Sequence, residues 1–116
     1  MADRVIMSAY QTKEWLAFFQ GKDVFTPTEN NIIQAENIFT TKFPNMNGYY
    51  RQYFGVINEK NQEEIHMLAF RKGLEKSFPD WRKKAVIVKD GGETYYDGAV
   101  NIDTQTLIHV GPHGEG

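Results

Sequence analysis

The chain contains no cysteine among its 116 residues. Without thiols it has no disulfide framework, no thiolate metal site and no cysteine nucleophile. Serine occurs only at Ser8 and Ser77, and no Ser/His/Asp constellation can be read from the sequence. Catalysis is therefore unsupported rather than excluded, and we favour a protein that is not an enzyme.

Neither sign of charge dominates, because 13 Lys and Arg residues oppose 15 Asp and Glu residues for a net charge of −2. Nucleic-acid-binding domains usually carry a clear basic excess, so we expect no nucleic-acid partner. The one basic cluster, Arg82–Lys84 beside Trp81, is interpreted as a solvated strand start.

Long apolar runs are also missing, and none approaches the ~18 residues of a membrane span. The first eight residues are too short and too charged for the core of a signal peptide. We therefore expect no membrane span and no export signal. The protein should be cytoplasmic, or exported if a signal has been removed.

What the chain does have is material for one core, since 41% of its residues are hydrophobic and 14% are aromatic. Its length suits one domain. We therefore expect residues 1–116 to form a single α+β domain. Its predicted parts are an N-terminal helical segment (1–25), a main helix (26–43), an antiparallel sheet (48–110) and a flexible tail (111–116).

The clearest local signal is the start of the main helix. Thr26 is the predicted N-cap, Pro27 the first helical residue and Glu29 the partner that completes a capping box. Pro44 is predicted to end the helix, because the residue before a proline avoids helical angles. The predicted apolar face of this helix consists of Ile32, Ala35, Phe39 and Phe43.

A shorter helix is predicted before it, with Thr12 as the cap and Gly21 as the end. Its aromatic and aliphatic side chains should pack on the rest of the chain, because leaving them exposed is unfavourable. These side chains are Trp15, Leu16, Phe18 and Phe19.

After Gly48 the apolar pattern changes to a period of two, which predicts strands. The turns between the strands are Asn58–Asn61, Asp90–Gly92 and Asp103–Gln105. Ala85–Val88 is apolar on both sides and is predicted to be a central strand. Short connections require an antiparallel meander of four to five strands, with the helix on one face. The predicted strands cover residues 49–56, 64–69, 85–88, 94–102 and 106–110.

Aromatic residues supply the candidate binding surface. Tyr49, Tyr53 and Tyr95 are expected on the sheet face that the helix leaves open. Trp81 lies in the aromatic connection Phe78–Trp81, which either grips a ligand or tucks its rings under the sheet edge. We favour the second role for the connection as a whole. The candidate binding residues are Tyr49, Tyr53, Tyr95 and Trp81.

Motifs that would hold a metal or cofactor are weak. His109 and His113 are four residues apart, but Gly111 and Pro112 between them exclude a helical pair for zinc. Asp90–Glu93 lacks the spaced oxygen ligands of a calcium loop. The adjacent carboxylates Glu63 and Glu64 should point to opposite sides of a strand and not converge. We therefore expect no metal and no cofactor.

Several stretches of the second half resemble a group of small, uncharacterised and often exported bacterial proteins. The resemblance rests on Tyr50–Asn58, Phe78–Trp81, Asp90–Gly92 and the closing Gly114-Glu115. It covers roughly residues 48–116, and its motifs, a "DGG" turn and an "NGEA"-like ending among them, are structural rather than catalytic. The order of helix and sheet is also similar to cystatin-like and PepSY-like domains. Many of these domains bind or inhibit other proteins, so this similarity implies a binding role.

Two functional hypotheses follow. The first is a non-enzymatic binding or inhibitory module that uses the open sheet face. The second is a small-ligand carrier or enzyme with a pocket between helix and sheet, motivated by the number of rings available to line it. A protein partner is expected under the first hypothesis, and a homodimer through the sheet edge or face is a further alternative.

Overall fold

The computed structural model describes residues 3–14, 23–88 and 92–113. Within these ranges the chain forms two α-helices and a mixed sheet of six strands, so the predicted α+β class is confirmed. No helix in these ranges is long and apolar enough to cross a membrane. The elements in chain order are β1 (Arg4–Ile6), α1 (Ala9–Lys13), β2 (Asp23–Phe25), α2 (Glu29–Phe39), β3 (Tyr49–Ile57), β4 (Glu63–Arg71), β5 (Gly92–Asn101) and β6 (Thr106–His113).

The sheet is built on four consecutive antiparallel strands in the order β3-β4-β5-β6. The free edge of β3 is shared by two short strands. β1 runs parallel to Arg51–Tyr53, and β2 runs antiparallel to Gly55–Ile57. The expectation of a wholly antiparallel sheet is therefore wrong, because three-residue strands far apart in sequence can complete an edge without a turn signal of their own.

Helix α2 begins two residues later than the sequence pattern predicts. Thr28 is the N-cap, its Oγ1 accepts from the Asn31 amide, and the Asn31 side chain accepts from the Thr28 N–H. Thr26 has another task, because its Oγ1 accepts a 2.8 Å hydrogen bond from Ala9 N. The predicted Thr26–Glu29 capping box is therefore wrong, since both threonines suit a cap and only the tertiary contact with Ala9 separates them.

The apolar face of α2 follows the sequence pattern, but its end does not. Ile32, Ala35 and Phe39 are buried on one face as predicted. The helix stops at Phe39 rather than at residue 43, but Phe43 is buried in the same core.

Helix α1, in contrast, begins earlier than predicted. Ser8 caps it in a box with Gln11, so Thr12 lies inside the helix, where its Oγ1 donates to Ser8 O. Thr12 is fully buried and is not a cap. The rest of the predicted N-terminal helix, with Trp15, Leu16, Phe18, Phe19 and Gly21, lies outside the described residues.

The predicted central strand Ala85–Val88 is not a strand. It lies across the sheet face opposite α2, and its backbone is held by side chains. Val86 N donates to Gln52 Oε1 at 2.8 Å, and the Tyr95 hydroxyl donates to Val86 O. Of these four residues only Val86 is buried, Ile87 is 46% exposed, and side chains replace the predicted strand ladder.

Two further landmarks lie at the end of the chain. Within the predicted Asp90–Gly92 turn, residues 90 and 91 lie outside the described part, and Gly92 has a φ of 54°. The predicted flexible tail begins too early, because β6 continues through residues 111–113 and pairs with β5.

The main core lies between α2 and the sheet. It is rich in rings, and Phe43 stacks on Tyr96 with centroids 4.2 Å apart. A polar cluster connects α2 to β3 beside this core. Glu36 accepts a 2.6 Å hydrogen bond from the Tyr53 hydroxyl and lies 3.4 Å from Arg51 Nε. Burial first, and then the charge of Glu36, raise the pKa of Tyr53 well above 10.

Candidate functional site

The four aromatic residues singled out in the sequence do not form an exposed surface. Tyr49 and Tyr53 point toward α2 and are 2% and 0% exposed. Tyr95 and Trp81 lie on the opposite face and are 3% and 6% exposed. The expectation of an open aromatic face is therefore corrected. These large rings fill the cores on both sides of the sheet, because burying their apolar area is more stabilising than leaving it in water.

The aromatic connection tucks its rings against the sheet, as favoured from the sequence. Trp81 packs against Phe70 and Tyr50, with ring centroids 5.7 and 4.9 Å away. Arg82 lies over the Trp81 ring at 4.3 Å. A shallow groove of about 170 Å³ follows this segment between Phe78 and Ile87.

The open part of the sheet is elsewhere, on the side opposite α2 and at the end where the β3–β4 hairpin turns. The register aligns Val56, Glu64, Asn101 and Thr106 across four strands in one row. Because alternate residues share a face, the outward side chains of this region are mostly polar. They are Glu64, His66, Asp97, Asn101, Thr106 and His109.

The hairpin turn that borders this region is organised by one side chain. Asn58 Oδ1 accepts from the backbone N–H groups of Lys60 and Gln62 at 2.9 and 3.0 Å. Asn61 takes a left-handed φ of 61°, which asparagine tolerates better than most residues. The predicted Asn58–Asn61 loop is therefore confirmed, and its fixed shape presents side chains to the adjoining groove.

This groove has a volume of about 340 Å³, within the ~300–1,000 Å³ range of ligand sites. Carboxamides form much of its wall and are connected by hydrogen bonds. Gln62 Oε1 accepts from Asn58 Nδ2 at 3.2 Å and from Asn101 Nδ2 at 2.9 Å. We call it the hairpin groove, and it is lined by Asn58, Glu59, Lys60, Gln62, Glu64, Asn101, Thr106 and Ile108.

The most constrained charge in the hairpin groove is the Glu64 carboxylate, whose side chain is 11% exposed. Asn58 Nδ2 donates to Oε2 at 3.0 Å, and His66 Nε2 lies 2.9 Å from Oε1. Partners on both oxygens hold the carboxylate in one orientation. Glu63 precedes it in β4, and because successive strand residues point to opposite faces, the two carboxylates do not converge, as predicted.

A second acid–histidine pair lies farther along the same face. His109 Nε2 is 3.4 Å from Asp97 Oδ1, with side-chain exposures of 53% and 31%. Pairing of His66 with Ala99, and of Ala99 with His109, separates the two histidines by two strand spacings, roughly 10 Å. Within the described ranges, no three His, Cys, Asp or Glu side chains converge on a point that could hold a metal ion.

Sequence reasoning missed the hairpin groove because its parts are far apart along the chain. Asn58 was read only as a turn residue, and Asn101 was not singled out. The only local indication of the groove is the polar stretch Asn58–Gln62, which follows the apolar end of β3. The union of this stretch with Asn101 depends on the β4–β5 register, which pairs Glu64 with Asn101.

Comparison with known proteins adds no relative, since no family model, no curated protein and no solved structure matches the chain.

Proposed function

We propose that the protein is a non-enzymatic binding module whose hairpin groove holds a positively charged side chain, lysine or arginine, of a protein partner. The observation that carries the proposal is the Glu64 carboxylate, which is nearly buried and fixed at the floor of an open groove. This retains the open-sheet-face hypothesis but places it on polar side chains instead of tyrosines.

The chemistry of the groove favours a cation over an anion. Two carboxylates, Glu59 and Glu64, line it against one cation, Lys60, so the charge of the groove favours a cation, whereas the carboxamide oxygens already accept hydrogen bonds from the protein itself. A charged donor makes a stronger hydrogen bond to a carboxylate than a neutral one does. The fixed orientation of Glu64 lowers the ordering cost of binding, since less side-chain freedom remains to be lost.

The geometry gives less support to a ligand pocket between helix and sheet. The rings that would line such a pocket contact one another. Phe43 is 4.9 Å from Tyr49 and stacks on Tyr96, and Phe39 is fully buried. We therefore place the binding function on the outer face of the sheet.

An NMR titration tests the proposal, because the groove contains three carboxamides that give separate side-chain signals. N-acetyl-arginine amide and N-acetyl-lysine amide serve as probes, and N-acetyl-glutamate amide is the charge-reversed control. We expect saturable shifts in the side-chain signals of Asn58, Gln62 and Asn101 with the cationic probes only. Equal shifts with the anionic control, or no saturable shift with either cation, would contradict the proposal.

A matched pair of variants assigns the effect to Glu64. Glu64→Gln removes the charge at similar volume and should weaken the cationic probes by about tenfold or more, equivalent to roughly 1.4 kcal/mol. Glu63→Gln removes a neighbouring charge on the other side of β4 and should leave the affinity within about twofold. Equal weakening by both variants would indicate general attraction to an acidic region and would overturn the specific site.

The resemblance to the exported bacterial group and to cystatin-like or PepSY-like domains stays a prediction. Only the similarity to cystatin-like and PepSY-like domains agrees with a binding role, and the proposal stands on the groove alone.

A further inference from the structure

The connection that follows β4 is strongly basic, and we call residues 71–84 the basic segment. It contains six basic side chains and two acidic ones, a net charge of +4 in a chain whose net charge is −2, so the rest of the chain carries −6. The protein therefore presents one positive region on an otherwise acidic molecule. The six basic residues are all exposed, and they are Arg71, Lys72, Lys76, Arg82, Lys83 and Lys84.

Half of these cations are not neutralised by the protein itself. Among the described residues, no carboxylate forms an ion pair with Lys76, Lys83 or Lys84. Lys72 differs, because Asp3 Oδ2 lies 3.3 Å from its Nζ. Exposed cations without a paired carboxylate create a positive potential that attracts an anionic partner.

The backbone that carries two of these lysines is fixed on the sheet. Gln52 Nε2 donates to Trp81 O and to Lys84 O. The N–H groups of Lys83 and Lys84 both donate to Asp80 O at 2.9 Å. This part of the chain is solvated, as interpreted from the sequence, but it is a turn and not the start of a strand. The lysine side chains therefore extend into water from a fixed base.

Apolar side chains lie beside these lysines. The shallow groove along Phe78–Ile87 places Lys84 next to Pro79 and Ile87. Pro79 is exposed, and Ile87 is 46% exposed. Asp80 is the one acidic residue among the described residues that line this groove. Peripheral membrane proteins combine basic residues, which attract anionic headgroups, with apolar residues that enter the boundary between headgroups and acyl chains.

We propose that the basic segment docks on an anionic lipid bilayer, with its lysines against the headgroups and Ile87 in the interfacial layer. Clusters of about four to eight Lys and Arg residues are typical of such binding. Nucleic acid fits less well, because proteins that bind single strands stack the bases on exposed rings. Trp81 and Phe70, the rings at the centre of this region, are only 6% and 1% exposed.

The opposite charge of the hairpin end favours one orientation on the membrane. Glu64, in the hairpin groove, is six positions before Phe70 in β4, which separates them by roughly 20 Å along the strand. Repulsion between the anionic headgroups and the acidic hairpin end should hold that end away from the bilayer. The hairpin groove would then stay open to a partner.

Vesicle flotation with the full chain tests the proposal. The probes are vesicles of phosphatidylcholine alone and vesicles that also contain about one third phosphatidylserine. We expect binding to the anionic vesicles only, and a loss of about tenfold or more when the ionic strength rises from about 0.1 to about 0.5 M. Equal binding to both kinds of vesicle, or none to the anionic vesicles at about 1 mM lipid, would overturn the proposal. No ligand of the hairpin groove is present, so this proposal and the proposed function can fail separately.

Matched lysine variants locate the electrostatic contact. Lys84→Gln should weaken binding by about fivefold, the contribution expected of one lysine near an anionic surface. Lys42→Gln removes the same charge from an exposed position beyond the end of α2 and should stay within about twofold. Circular dichroism shows first that each variant is folded, and Lys83→Gln replaces Lys84→Gln if that variant is not. Equal weakening by the two variants would indicate attraction by overall charge and would refute docking through the basic segment.

A second pair of variants separates a membrane from a soluble polyanion. Ile87→Ser should weaken vesicle binding by about threefold or more, because less apolar area enters the interface. Ile33→Ser, on α2 and also at 46% exposure, should leave it unchanged. An unchanged affinity of folded Ile87→Ser, or a single-stranded oligonucleotide that binds as tightly as the anionic vesicles, would assign the basic segment to a polyanion and overturn the membrane proposal.

Discussion

Replacing Gln52 tests whether its side chain, rather than strand pairing, holds the segment 81–86 on the sheet. Gln52 is fully buried on the face of β3 opposite α2. Its Nε2 donates to Trp81 O at 2.5 Å and to Lys84 O at 2.6 Å, and its Oε1 accepts from Val86 N at 2.8 Å. One carboxamide thus holds the irregular segment 81–86 on the sheet. We consider the substitution Gln52→Met, which keeps the length of the side chain and removes all three hydrogen bonds.

The cost follows from the groups left without a partner. Trp81 O and Val86 N are both in buried hydrogen bonds with Gln52, whereas Lys84 O is in a partly buried one and can turn to water. Each buried backbone group that loses its partner costs roughly 1–3 kcal/mol. Part of this loss is recovered, because the variant no longer buries the polar carboxamide of residue 52. We expect a net loss of about 3 kcal/mol, a large part of the ~5–15 kcal/mol typical of a domain.

Equilibrium unfolding in urea, followed by circular dichroism, measures this loss, and hydrogen exchange reports on the Val86 amide. In the unmodified protein that amide should be protected nearly as well as the central strands. In the variant it should exchange much faster while amides of β4 and β5 change less. Gln34→Met on α2, partly exposed, is the control and should change stability by less than about 0.5 kcal/mol. A loss below 1 kcal/mol together with an unchanged Val86 amide would refute the view that Gln52 replaces a strand ladder.

Two further predictions concern the helix-side core. A Cβ on Gly98 would lie 2.7 Å from a ring carbon of Phe39, so Gly98→Ala should lower the free energy of unfolding in urea by about 1–3 kcal/mol. The control Gly48→Ala, where a Cβ meets nothing within 4 Å, should not lower it. Equal effects of the two variants would contradict the close approach of Gly98 to Phe39. The raised pKa of Tyr53 means that the folded state favours the neutral phenol, which is buried and donates to Glu36. An unfolded tyrosine ionises near 10, so the stabilisation is complete below pH 10 and is lost as the pH rises above it. Tyr53→Phe should therefore show a shallower fall of unfolding free energy between about pH 10 and 12, and identical slopes would count against this assignment.

The helix signals show where local chemistry was sufficient and where it was not. Ile32, Ala35 and Phe39 were predicted on one face because a helix has one period, and they are buried there. The cap was misplaced, because Thr26 and Thr28 are equivalent in local chemistry. Only the hydrogen bond from Ala9, seventeen residues earlier, assigns Thr26 to another role.

The candidate site was less accessible from the sequence. The tyrosines were expected on an open face because alternation identifies which residues share a side of a strand but not which side is covered. Tyr49 and Tyr53 share a side, as predicted, and α2 covers it. The hairpin groove joins Glu64 with Asn101, thirty-seven positions later, through a strand register that no local pattern encodes.

The sequence by itself determined the α+β class, the amphipathic face of α2, the antiparallel strands from β3 to β6 and the turn at Asn58–Asn61. These features depend on periodicity and turn chemistry within a few residues. Tertiary structure alone decided the parallel edge strand β1, the use of Gln52 and Tyr95 in place of a strand at Val86, and the burial of the four candidate aromatic residues. Each of these depends on which distant group satisfies a backbone donor or covers an apolar face, and that is settled only when the whole chain is folded.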